Sequence, residues 1–124
     1  MGDLCRRLKD VSEAGIYRLN CPAEDLRASA TEGGFIVFEA DIANASGKGE
    51  VLAELARAIA APDWFGHNWD ALADALGDLS WCPASGYVLL LHGDPSGEAV
   101  LGDILDATIS FWKLNGKAFW VFIA

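Results

Sequence analysis

Between Arg57 and Lys113 the sequence has no lysine or arginine, although the chain carries nine of them in 124 residues. The same span holds Asp63, Asp70, Asp74, Asp78, Asp94, Glu98, Asp103 and Asp106, so one stretch is purely acidic within a formal charge of −9. Binding to phosphate backbones needs Lys and Arg, which sets nucleic acid aside as a direct partner. A bare acidic field instead attracts cations and basic surfaces. Solubility is the plainer use of such a surface.

Other absences narrow the field further. No apolar run approaches the roughly 20 residues that span a bilayer, so no membrane partner is expected. The opening MGDLCRRLKD lacks the ~7–15-residue apolar core of a signal peptide. Arg6 stands where a myristoylation signal wants Ser or Thr, and an ordinary cytoplasmic N-terminus is the expectation. Cys5, Cys21 and Cys82 are scattered and form no CxxC pair. Reduced thiols in an intracellular protein are the simplest account, with no zinc spacing among them. There is no Gly-rich phosphate loop, nucleophile elbow or Cys–His signature. Neither His67 nor His92 supplies the paired histidines of a zinc helix. No catalytic residue, metal or cofactor is expected, and the chain reads as a non-enzyme.

What is present is a well-populated core. The chain is 52% hydrophobic and 10% aromatic, too apolar for disorder and long enough to bury one core without staples. One domain over 1–124 is expected. Ile16–Leu19 suits a first strand. PAEDLRASATEGG, from Pro22, suits a helix ended by Gly33-Gly34. FIVFE (35–39), YVLLL (87–91) and FWVFI (119–123) are short, continuously apolar strands. EVLAELARAIA, after Ser46-Gly-Lys-Gly, has a helical apolar face and is stopped by Pro62. A longer helix should run from a cap at Ser96 or Gly97 to about Asn115, with Val100, Leu101, Ile104, Leu105, Thr108, Phe111 and Trp112 inward. Strands apolar on both faces and alternating with helices predict a three-layer α/β/α domain around a small, mainly parallel sheet of three to four strands. No feature asks for more than a monomer.

The stretch WFGHNWDALADALGDLSW (64–81) breaks a local rule. Asp70, Asp74 and Asp78 recur at four-residue spacing, where like charges repel by a few tenths of a kcal/mol, and no cation lies nearby. Asn68 is a good N-cap for a helix from Trp69 to about Leu76 or Leu79. At about 100° per residue, Trp69, Leu72, Leu76 and Leu79 share one side and the aspartates lie nearly opposite. Asp70 gains from the N-terminal dipole, while Asp78 at the other end does not. A solvated face is the ordinary reading of a charge run. Here, however, the neighbours are small (Ala71, Ala73, Ala75, Gly77), and aromatics flank both ends. Of those aromatics, Phe65, Trp69 and Trp81 suit the core, and Trp64 suits an exposed contact.

These residues carry a resemblance. Through PDWFG (62–66), NWDAL (68–72), Asp74 and LSW (79–81), the chain resembles the barstar family, intracellular inhibitors of small secreted ribonucleases. The likeness covers roughly 35–124, with 1–34 as an N-terminal strand and helix extension that the smallest members lack. The chain departs from the family at Ala73, at Gly77-Asp78 and in the short turn HGDPSG.

The resemblance implies a three-layer α/β/α fold and a bacterial, immunity-type inhibitor acting in the cytoplasm. Its partner would be a basic, extracellular-type, barnase-like ribonuclease. Asp70 and Asp74 would enter the cationic active site in place of RNA phosphates, and the segment from Trp64 through His67 to Asn68 would pack at the rim. Ala73 and Asp78 complete the expected partner-binding set. The alternative is a non-catalytic acidic module for a different basic partner or toxin, since a fold does not fix its ligand.

Overall fold

Residues 7–62, 66 and 68–124 are described by the computed structural model, apart from the side chain of Ser96. The elements run in the order β1 (Ile16–Arg18), α1 (Ala23–Glu32), β2 (Phe35–Asp41), α2 (Gly47–Ala58), α3 (Trp69–Leu76), β3 (Gly86–His92), α4 (Ala99–Leu114) and β4 (Phe119–Ile123). Short 3-10 turns at Val11–Glu13 and Pro95–Gly97 precede β1 and α4.

The four strands form one parallel sheet in the order β1-β4-β3-β2. Parallel neighbours need helical crossovers, and those crossovers are right-handed. The steps from β2 to β3 and from β3 to β4 run in one direction across the sheet, which puts α2, α3 and α4 on one face. The step from β1 to β2 runs the other way and puts α1 on the opposite face. The architecture is the three-layer α/β/α arrangement that the alternation of strands and helices predicts.

Side-chain pairing agrees with this layering. Phe38 and Tyr87 stack on the α4 side, and Tyr87 meets Trp112 with ring centroids 5.3 Å apart. Glu39, next along β2, points the other way and pairs with Arg27 of α1. The central strands are almost wholly enclosed, since Val88 to Leu91 and Phe119 to Phe122 have no measurable exposure. Each large apolar side chain so buried contributes about 1.5–3 kcal/mol, which is why these strands are apolar on both faces. A side chain at Gly86 would meet the Phe35 ring at 2.6 Å, so the start of β3 must be glycine.

The residues before β1 are tied to the sheet. The Trp120 indole donates to Leu8 O at 2.8 Å, the Tyr17 hydroxyl to Glu13 O at 2.6 Å, and Lys113 Nζ to Ala14 O at 3.2 Å.

Several expectations need correction. Helix α2 ends ahead of Pro62, where Ala60 takes a left-handed φ of 53°, so the proline is not the stop signal. Helix α4 starts at Ala99 with Glu98 at its N-cap position, and no side chain makes a cap bond there. Its inner face is Leu101, Leu105, Thr108, Ile109 and Trp112, whereas Val100 and Phe111, expected inward, are exposed. The reduced state expected of all three cysteines is overturned at Cys21, which is disulfide-bonded; Cys82 is a free thiol.

Candidate partner-binding helix

Helix α3 begins because Asn68 is extended, and its Oδ1 accepts a bond from the Ala71 N–H at 2.7 Å. That bond satisfies one of the free donors of the first turn. The helix is fixed by its apolar side, where Leu72, Ala75, Leu76 and Leu79 are buried and Trp69 is half-buried. The far end is held by α4, because the Trp112 indole donates to Leu76 O at 2.8 Å and takes up one of the carbonyls left open at the C-terminus.

Two further contacts secure the exit. Leu79 adopts a left-handed φ of 51°, which turns the chain sharply while its side chain stays in the core. Trp81 then donates its indole N–H to Ile59 O at 2.9 Å, joining the exit of α3 to the end of α2.

On the other side of this anchored helix, Asp70, Ala73 and Asp74 are exposed. Asp70 and Asp74 stand one turn apart. Among the described residues, no Lys, Arg or His makes an ion pair with either of them or with Asp78. Ala73 beside them adds no bulk to shield the carboxylates. The pair is therefore a stiffly held doublet of negative charge in water, with its repulsion unrelieved.

Asp78 differs from the other two. The helix closes at Gly77, so Asp78 lies past its end, exposed and in contact with Ser80 Oγ at 3.3 Å. The expected row of three is two on the helix and one in the turn beyond. Asn68 is exposed, and its side-chain oxygen is occupied by the cap. Trp64 and His67, both expected at the rim, lie outside the described residues. The sequence reading overlooked the exposed apolar side of α4, whose signal was a second apolar stripe with a period of 3.5 residues.

Elsewhere, part of the charged surface is neutralised within the chain. Arg27 makes a two-pronged bond to Glu39, Nε to Oε2 at 2.6 Å and Nη2 to Oε1 at 2.8 Å. The guanidinium holds the Glu39 carboxyl down at about 2, with His92 helping and burial opposing. His92 sits at the end of β3, as expected of a strand-end residue, and reaches Glu39 at 3.2 Å.

Two surface cavities accompany these features. One, of about 310 Å³, is lined by Asp41, Glu50, Glu54 and Arg57 among others. Its acids are already engaged, by the Ala43 N–H, the Ser46 N–H and Arg57 respectively. The second, of about 280 Å³, lies at the opposite end of the sheet beside Lys9, Phe35 and Ala118. Among the described residues no group of three His, Cys, Asp or Glu side chains is placed to hold a metal ion. No helix there is long and apolar enough to cross a membrane.

Compared with family models, residues 35–124 match the one described as Barstar (barnase inhibitor). Comparison with curated proteins returns no match. The matched span begins at β2 and takes in α3 and its aspartates, leaving β1 and α1 outside.

Proposed function

Because the chain belongs to the barstar family, we propose that it inhibits a barnase-like ribonuclease by seating α3 in the enzyme's cationic active site. Asp70 and Asp74 are the residues proposed to enter, as carboxylate substitutes for RNA phosphates. Asn68, Ala73 and Asp78, with Trp64 and His67, are proposed to surround them.

The observation that carries this reading is the exposed pair of aspartates on a helix anchored along one side and at both ends, with no ion-pairing cation among the described residues. A nuclease site is basic because it holds phosphates, and arginines there can grip carboxylates bidentately. Both partners are charged before they meet. Encounter should therefore be fast and should weaken with salt.

Immunity within the cytoplasm of a bacterial producer is part of the proposal. The free protein is taken as a monomer.

Co-expression tests the reading. The chain should rescue cells that make a barnase-like ribonuclease, and the double variant Asp70→Ala, Asp74→Ala should not. Capture of an unrelated basic protein, with ribonuclease activity untouched, would instead identify a different toxin or regulator as the target.

A further inference from the structure

The two edges of the sheet differ. At one edge, β1 has three residues and ends in exposed Arg18. A short strand and an edge charge are both devices that prevent further strand pairing. At the other edge, β2 has seven residues, FIVFEAD, with no Lys, Arg or Pro among them. Alternate residues of such a strand direct their N–H and C=O away from β3. Among the described residues, no loop or helix bonds to the backbone of Phe35–Asp41 on that outer side. Ile36 and Val37, which project to opposite faces, are both only half-buried.

The charge left over at this edge is negative. Arg27 is taken up by Glu39 on the α1 side, and Arg57 by Glu54 on α2. Asp41, the last residue of β2, and Glu50 are exposed. Asp41 accepts from the Ala43 N–H at 3.1 Å and Glu50 from the Ser46 N–H at 2.8 Å. No Lys, Arg or His among the described residues forms an ion pair with either. Both line the cavity of about 310 Å³ at the end of the strand, with Asn44, Glu54 and Arg57.

We propose that the outer edge of β2 accepts an extended basic segment of another protein as a fifth strand, with a Lys or Arg side chain of that segment entering the cavity beside Asp41 and Glu50. The open backbone supplies hydrogen bonds to any extended chain, and the cavity selects one that carries a cation. Seven residues at about 3.3 Å each set the length of segment that the edge can hold. A second copy of this chain does not meet the requirement. The only charged residues of β2 are Glu39 and Asp41, so pairing two such strands brings no cation, and it joins two chains of net charge −9. None of these residues belongs to α3, and the proposal does not depend on the inhibitor reading.

The test uses the full chain and a fluorescein-labelled peptide of alternating lysine and valine, about seven residues long to match the edge. Fluorescence anisotropy should show binding, and hydrogen–deuterium exchange should show new protection at residues 35–41. Methylating every peptide nitrogen keeps the charge but removes the donors, and should raise Kd by about tenfold or more. Asp41→Asn with Glu50→Gln keeps the acceptor that each side chain offers its backbone N–H. That variant should keep the parent's thermal midpoint and raise Kd by about fivefold in 0.1 M salt, with the difference fading near 1 M. If the peptide does not bind, or the methylated peptide binds as well as the plain one, the proposal is overturned. It is equally overturned if protection falls on residues 69–76 instead, since the peptide is then held by the acidic helix. Protection at 35–41 that rises with protein concentration in the absence of peptide would assign the edge to a second copy and overturn it too.

Discussion

The two faces of the sheet handle charge in opposite ways. On the α1 side, Arg27 meets Glu39 in a bidentate pair, and His92 joins them. On the α3 side, Asp70 and Asp74 have no counter-ion among the described residues, and the chain supplies no Lys or Arg from 58 to 112. Glu39 on the first face is engaged in holding the molecule together. Asp70 and Asp74 on the second face make no ion pair among the described residues, so their charge is open to something outside the fold. Composition alone, which gives only a net charge, does not separate the two.

The sharpest test of that contrast is Asp74→Ala. Binding to the ribonuclease should weaken by several kcal/mol, the size known for close charge pairs in this family's own complexes, because the partner's buried cations lose their match. Chemical denaturation of the free variant should show no loss of stability, since only repulsion is removed. Parental affinity in both Asp70→Ala and Asp74→Ala would erase the distinction between the faces.

Leu72→Ala should do the reverse. It should lower unfolding stability by about 2–5 kcal/mol through a core cavity, while refolded protein retains its charge pattern. Asn68→Ala, which removes only the cap bond, should cost about 0.5–2 kcal/mol in a denaturant melt.

The smallest effect belongs to the α1 face. The folded Glu39 carboxyl lies near 2, below its ordinary 4.5. Its contribution is therefore complete above about pH 4.5 and is lost as pH falls toward 2. Glu39→Gln should flatten the stability profile in that acid window and leave ribonuclease binding at neutral pH unchanged. A change in binding would mean that the faces are coupled.

The layers were legible in the sequence because the central strands are apolar on both faces, which a sheet with one side in water does not tolerate. Helix α3 was legible because Asn68 caps it and its leucines recur at helical spacing. What escaped is instructive. The helix closes at Gly77, which leaves Asp78 off the acidic stripe, and Leu79, an ordinary core leucine in composition, then turns the chain with a left-handed backbone. On α4, a stripe of period 3.6 and one of period 3.5 overlap at every turn. Val100 and Phe111 were assigned inward and Ile109 was missed, because only the neighbours distinguish the two seams. The Cys21 bond had no local signature, since pairing depends on proximity and not on spacing.

The two indole bonds at the ends of α3 and α2 have one more consequence. Trp112 and Trp81 each contribute a single N–H, and between them they settle the pitch and roll of the helix before any enzyme arrives. For a partner docking on α3 as proposed, the entropy of ordering that helix is already spent during folding and does not subtract from affinity.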